Sequence, residues 1–150
     1  MSDYQGKGRS SFVQVTDKAK VIKIAELYDL EYEIINERIA FFSTNNEGEA
    51  RDLIYIGNDY DVDLAVELGI IVKDKVFDSL REEYDLPSFL SDVIADYLCD
   101  DEVFVWKHSG CVKYEITGYA VAINNKKESK YVYIDDIFDL AKALGTRIVF

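Results

Sequence analysis

The stretch "EVFVWKHSGCVKYEITGYAVAINNKKESKYVYI" (102–134) is the β-rich part of the chain and decides the predicted fold class. Its segments "EVFVW" (102–106) and "CVKYEITGYAVAIN" (111–124) are rich in the β-branched and aromatic residues that favour strands. "WKHSGCV" (106–112) is interpreted as the hairpin turn between them, and a polar turn leads on to a third strand at "KYVYI" (130–134). Consecutive strands joined by tight turns run antiparallel, so the pattern predicts an antiparallel sheet.

The N-terminal third predicts a βαββ unit. "SSFVQV" (10–15) has the composition of a strand, and Thr16–Asp17 has the residue types that begin a helix. "LEYEII" (30–35) and "RIAFFS" (38–43) flank Asn36–Glu37, which is typical of a two-residue hairpin turn. We therefore expect a strand, a helix and a β-hairpin in that order.

The segments around this unit differ in character. "GKGRS" (6–10) contains glycine and basic residues ahead of a predicted strand, and we interpret it as a flexible, mildly basic leader. After a polar loop, "DLIYIG" (52–57) predicts a short strand within the acidic segment 47–102, which is otherwise mostly helical. Apolar residues at helical spacing predict one helix over 76–84 and another that begins near Pro87.

The C-terminal end predicts one more helix. Asp135 or Asp136 is a suitable N-cap, and Gly145 a suitable stop. The apolar positions at helical spacing between them are Ile137, Leu140, Ala141 and Leu144. The whole chain is thus predicted to be a single α+β domain (1–150), an antiparallel sheet with helices packed on it.

The composition limits the classes of protein to which the chain can belong. A chain of 150 residues with 49% hydrophobic and 13% aromatic residues can bury a substantial core. No apolar run reaches the roughly 18 residues of a membrane span, and the N-terminus lacks the apolar core of a secretory signal. Cys99 and Cys111 are the only cysteines, which fits reduced thiols. We expect a cytoplasmic protein with no membrane partner.

The negative charge is concentrated in one segment. The net charge of the chain is −12, and residues 47–102 hold 17 Asp and Glu against 4 Lys and Arg, a net of −13. The remainder is close to neutral. Such a field repels nucleic acid and attracts basic surfaces, so the expected partner is a basic protein and direct binding of nucleic acid is not expected.

The alternating acids from Asp59 to Asp63 suggest a calcium loop, but the spacing excludes an EF-hand. That loop needs glycine at its sixth position and glutamate at its twelfth. Counted from Asp59, those positions hold Leu64 and Ile70. "VDLAVELG" (62–69) instead predicts a short helix that ends at its glycine. No metal or other cofactor is expected.

The sequence also contains few residues in patterns typical of catalytic sites. The sequence contains no glycine-rich phosphate loop and only one histidine, His108, with Ser109 and Cys111 nearby. Because "WKHSGCV" is interpreted as a turn, we interpret His108 as a turn residue rather than a catalytic base. Cys99, His108 and Cys111 lack the spacing of a zinc knuckle. The chain is predicted not to be an enzyme, although a small enzyme that uses Cys111 or His108 stays an alternative.

The acidic segment is the candidate binding surface. Thirteen net charges at the density of duplex DNA would span on the order of 22 Å, which is sufficient to occupy a nucleic-acid groove. Tyr60 and Tyr84 are candidate interface anchors among the acids. The predicted partner contacts are Asp59, Tyr60, Asp61, Asp63, Glu67, Glu82, Glu83, Tyr84, Asp85, Asp92, Asp96, Asp100, Asp101 and Glu102.

Three segments carry a resemblance. "RSSFVQVTD" (9–17), "ITGYAVAIN" (116–124) and "VYIDDIFDLAKALG" (132–145) resemble the opening and closing segments of a family of small, acidic proteins encoded on phages and plasmids. The resemblance implies a mobile-element context. Small acidic phage proteins include antirestriction and anti-CRISPR inhibitors, some of which mimic DNA, and this step is an analogy.

The predicted function is therefore that of a non-enzymatic acidic inhibitor. It would occupy the basic nucleic-acid-binding surface of a host defence complex, such as a CRISPR effector or a restriction enzyme, in the cytoplasm of a bacterium. The alternative is an immunity protein that neutralises a basic nuclease toxin, because it needs the same electrostatics. A homodimer is compatible with either function.

Overall fold

The computed structural model describes residues 4–51, 59–70 and 90–145. In this part of the chain, six strands form one antiparallel sheet in the order β2-β3-β1-β4-β5-β6. The predicted α+β class is confirmed. The elements are β1 (Gln5–Ser10), α1 (Lys18–Leu27), β2 (Leu30–Ile35), β3 (Arg38–Ser43), α2 (Asp59–Glu67), α3 (Leu90–Ala95), β4 (Val103–Val112), β5 (Glu115–Asn124), β6 (Ser129–Tyr133) and α4 (Asp136–Ala141).

The predicted helix start and hairpin near the N-terminus are both confirmed. The Asp17 carboxylate accepts a hydrogen bond from the Lys20 backbone N–H at 3.1 Å and caps α1. Asn36 and Glu37 have φ values of 51° and 65° between β2 and β3. Positive φ at both central residues is the geometry of a turn that follows the twist of a two-residue hairpin.

The segment predicted to be a leader is a central strand. Gly6 and Gly8 belong to β1, which lies between β3 and β4. The strand predicted over 10–15 shares only Ser10 with β1, and beyond it forms isolated bridges at Val13 and Val15. A Cβ at Gly6 would collide with the Glu47 carbonyl, and one at Gly8 with that of Gly48. The glycines therefore let the polar loop 44–51 lie against the strand backbone.

The predicted turn at 106–112 is also wrong. β4 runs without interruption from Val103 to Val112, and the chain reverses at Lys113, where φ is 53°. His, Ser and Gly made this segment resemble a loop in composition, but the alternating burial of Trp106 and His108 shows a strand.

Helices cover one face of the sheet. Phe104, Trp106 and His108 of β4 point to this covered face, and the alternate residues Lys107 and Ser109 point to the open face. Helices α1, α2 and α3 contribute to one hydrophobic core with the strands. Its largest fully buried side chains are Tyr28, Phe41, Phe104, Ile24, Leu27, Ile39, Ile94 and Ile123.

Two helices lie in the described part of the acidic segment. The predicted short helix before Gly69 is α2, and Gly69 ends it with φ of 74°. The helix predicted from Pro87 is seen as α3, with Leu90, Val93 and Ile94 buried. The predicted strand 52–57, the predicted helix 76–84 and Pro87 lie outside the described residues.

The closing helix forms but does not pack as expected. Ile137, Leu140 and Leu144 are 57%, 69% and 93% exposed, and α4 has no buried residue. This six-residue helix follows the edge strand β6, beyond the area that α1 and α3 cover in the described part of the chain. Its apolar side therefore stays in contact with solvent.

Candidate functional site

The fold divides the predicted contact residues into two groups. The first lies on α2 beside α1 and contains Asp59, Tyr60, Asp63 and Glu67, which are exposed. The second follows the course of the chain from α3 to the start of β4. Its members are Asp92, Asp96, Asp100, Asp101 and Glu102. Glu82, Glu83, Tyr84 and Asp85 lie outside the described residues.

The α2 group borders a small groove of about 200 Å³. Tyr60 is 62% exposed, and its hydroxyl donates to Glu26 Oε1 at 2.7 Å. This hydrogen bond and the Glu26 charge raise the pKa of Tyr60. The groove, which we call the acidic groove, is lined by Lys23, Glu26, Tyr60, Asp63, Leu64 and Glu67. Glu67 also binds Lys23, with 2.6 Å between Oε1 and Nζ, so one cation offsets part of the acid charge.

Asp61 does not belong to this exposed surface. It is buried, and its Oδ2 lies 2.7 Å from Nη1 of Arg51, whose Nε lies 3.8 Å from Asp29. The pair fastens the end of loop 44–51 to α2. Burial and this ion pair give Asp61 a role in the fold, because helical periodicity turns the middle acid of the three inward.

Carboxylates of the second group are largely bonded within the chain. Asp96 lies 3.2 Å from Lys127, Glu102 lies 2.7 Å from Arg38, and Asp100 accepts a hydrogen bond from Asn125 at 2.9 Å. These contacts neutralise or satisfy part of the charge that the sequence assigns to a partner. The α2 group differs in lining a groove, and it is therefore the candidate for an external contact.

The structure also contains a polar network that the sequence did not predict. His108 is buried, with Nε2 2.7 Å from the Tyr4 hydroxyl and Nδ1 3.1 Å from the Gly48 carbonyl oxygen. Because a carbonyl only accepts, Nδ1 carries a proton, and in the neutral imidazole Nε2 then accepts from the Tyr4 hydroxyl. Glu49 Oε1 lies 3.3 Å from Nδ1, and Tyr119 donates to Glu49 Oε2 at 2.7 Å. The alternation of aromatic residues along 104–108 was the sequence signal from which the burial of His108 could have been predicted.

This network holds the loop 44–51 against the sheet. Tyr119 stacks on the His108 ring with 5.2 Å between centroids, and the Tyr4 ring lies over Gly110, where a Cβ would collide with it.

Ser109 and Cys111 alternate with His108 and point to the open face. Neither can pair with His108 as nucleophile and base, and the three residues Cys99, His108 and Cys111 do not form a zinc set.

The same network predicts a loss of stability in alkaline solution. Burial and the hydrogen bond to Glu49 raise the pKa of Tyr119. In the unfolded chain this phenol ionises near its ordinary value of about 10. Above about pH 10 the unfolded state therefore loses a proton that the native state retains, and the free energy of unfolding falls as the pH rises.

We expect Tyr119→Phe to lower stability at neutral pH and to flatten this alkaline loss. Urea unfolding at several pH values between about 8 and 11 measures both effects. Tyr114→Phe is the matched control, because Tyr114 is 99% exposed. Parallel pH curves for wild type and Tyr119→Phe would contradict the assignment.

The chain was compared with protein families, curated proteins and solved structures. No protein-family model, curated protein or solved structure matches the chain. Among the described residues, no group of three or more His, Cys, Asp and Glu side chains is placed to hold a metal ion. The described helices are each too short or too polar to cross a bilayer.

Proposed function

We propose that the protein is a non-enzymatic inhibitor that presents the acidic groove to the basic nucleic-acid-binding surface of a host defence complex. The observation that carries this proposal is the exposed Tyr60, held by Glu26 at the rim of a groove lined with carboxylates. The resemblance of three segments to small acidic phage and plasmid proteins supports a bacterial cytoplasm as the setting. An anti-CRISPR or antirestriction role by DNA mimicry belongs to this proposal.

The groove has the chemistry of a site for a basic side chain. Glu26, Asp63 and Glu67 contribute carboxylates, and Lys23 removes part of their charge. An arginine of the partner would find acceptors for its guanidinium and an aromatic face on Tyr60 for a cation–π contact.

Preorganisation favours binding at this place. The hydrogen bond between Tyr60 and Glu26 holds the ring before a partner arrives, so less side-chain entropy is lost on association. Tyrosine and arginine are the residue types that most often supply the binding energy of an interface. The net charge of −12 adds long-range attraction toward a basic surface.

The alternative, an immunity protein for a basic nuclease toxin, uses the same groove and the same charge. The two functions differ in the partner rather than in the surface. A neighbouring toxin gene would favour immunity, whereas phage structural and regulatory genes nearby would favour the inhibitor.

The test is capture from a bacterial host followed by competition. We expect immobilised protein to retain a basic nucleic-acid-binding protein, and the purified retained protein to release its nucleic acid when this chain is added. Affinity should fall steeply as salt rises, because exposed charges steer the encounter. The combined variant Tyr60→Ala/Asp63→Asn, which changes two residues that line the groove, should bind roughly tenfold or more weakly.

Glu115→Gln is the control for charge alone, since Glu115 is exposed at the turn between β4 and β5, outside the groove. It should bind like wild type. Retention of a partner that keeps its nucleic acid at saturating concentrations of this protein would contradict the proposal.

A further inference from the structure

The open face of the sheet carries a second groove with the opposite charge. Strand register places one residue from each strand in a row across this face. The row changes from acidic through aromatic and cationic to apolar. In strand order its residues are Glu31, Phe42, Arg9, Lys107, Ala120 and Val132.

Three cations lie close together at the centre of the sheet. Arg9 is the direct cross-strand partner of Lys107, and Lys7 lies two residues before Arg9 on the same face. None of the three forms an ion pair within the described part of the chain. The Arg9 guanidinium lies 5.4 Å from the centroid of the Phe42 ring. Like charges directly opposite each other destabilise a sheet, and a bound anion would remove that repulsion.

Beside the cations the same face becomes apolar. Gly118 and Ala120 form a low floor on β5, and Val132 and Ile134, which are 54% and 45% exposed, border it. The groove that contains both parts has a volume of about 640 Å³, which is within the usual range for small-molecule sites of roughly 300–1,000 Å³. Exposed apolar side chains next to these three cations provide the two kinds of contact that an amphiphile needs.

We propose that this groove binds a small amphipathic anion, a carboxylate or phosphate head on an apolar body. Lys7, Arg9 and Lys107 hold the head. The body lies across β5 toward Val132 on β6, a distance of about 10 Å at roughly 4.8 Å per strand. Gly118 leaves room for the apolar body of the ligand. A Cβ at this position would lie 3.0 Å from the His108 carbonyl oxygen and would make the groove shallower.

Charge favours a small ligand over a nucleic acid at this place. A polyphosphate chain would extend past the three cations into the field of a protein with net charge −12. A single anionic head experiences chiefly the nearby lysines and arginine, because charges beyond roughly 8 Å are largely screened at physiological salt. The apolar border also has no counterpart in a phosphate backbone.

Calorimetric titration with four probes tests the proposal. Octanoate and octyl phosphate represent the two sources of the head, and we expect one or both to bind with saturation below millimolar concentration. Inorganic phosphate has the head without the body, and octyl glucoside has the body without the charge. Each should bind at least roughly tenfold more weakly than the better octyl anion. The preference between octanoate and octyl phosphate identifies the head group.

Variants then locate the site. Lys107→Gln and Arg9→Gln replace a cation by a neutral polar side chain and should each weaken binding roughly tenfold. Lys126→Gln is the matched control, because Lys126 is an exposed lysine in the turn after β5, outside the groove. Circular dichroism confirms that each variant is folded.

Three results would overturn the proposal. They are equal binding of octyl glucoside, equal loss of affinity in Lys126→Gln, and binding of a single-stranded oligonucleotide without binding of either octyl anion. This ligand site lies on the opposite face of the sheet from the acidic groove. Capture of a protein partner therefore succeeds or fails independently of it.

Discussion

Gly8→Ala is expected to destabilise the protein by about 3 kcal/mol, as overpacking of a well-filled interior does. A Cβ at this position would collide with the carbonyl oxygen of Gly48 and approach Trp106 Cζ2 to 2.6 Å. The first neighbour is backbone, which cannot turn away as a flexible side chain can. The loop 44–51 would have to lift from β1, and the His108 contact with Gly48 would be lost with it.

Urea denaturation measures this change as a lower midpoint with an unchanged slope. Gly145→Ala is the matched control, because no atom lies within 4 Å of a Cβ built there. It should leave the midpoint almost unchanged. A Gly8→Ala protein as stable as the control would show that the loop does not rest on the strand.

Asp61→Asn is expected to cost about 2–3 kcal/mol of stability, since it leaves a partly buried guanidinium without its charged partner. Asp61 is buried and holds Arg51 at 2.7 Å, and the side chain of Arg51 is only 23% exposed. Asp29, at 3.8 Å from Arg51 and mostly exposed, compensates weakly.

The neighbouring substitution Asp59→Asn is the control, because it removes the same charge from an exposed position on the same helix. It should change stability by less than about 0.5 kcal/mol. A double-mutant cycle with Arg51→Met isolates the coupling between the two side chains. A coupling energy near zero would show that Asp61 is held by other contacts.

Short-range sequence signals were sufficient to predict the helix ends and the hairpin turn, which depend on a few neighbouring residues. Asp17 capped its helix, Asn36 and Glu37 turned their hairpin, and Gly69 ended α2, because each of these needs only a few neighbouring residues. The antiparallel sheet followed from the strands and turns. Strand order was not predictable, since it depends on pairing between distant segments.

Two strands were missed for a common reason. "GKGRS" (6–10) and "WKHSGCV" (106–112) contain glycine, serine and histidine, which are typical of loops. Their glycines are needed in strands because a loop and the Tyr4 ring lie directly on the backbone. That requirement comes from tertiary contacts, which composition does not contain. The buried network around His108 was missed with them.

Composition indicates an acidic surface but not how its side chains are arranged. The sequence analysis treated Asp61 and Asp63 alike as partner contacts. Burial and the position of Arg51 separate them. Likewise, the basic residues Lys7 and Arg9 are unremarkable in a nearly neutral stretch, and only register brings them beside Lys107.

The position of β1 determines the order in which the sheet can be completed. β1 precedes the other five strands in the chain but lies between β3 and β4, and Gln5 pairs with Cys111. During synthesis, β1 can gain its β3 neighbour early, but its other edge stays open until residues 103–112 have been made. Contacts between such distant segments close slowly, because the entropy of a long loop is lost before they form. Completion of the sheet therefore depends on the late arrival of β4.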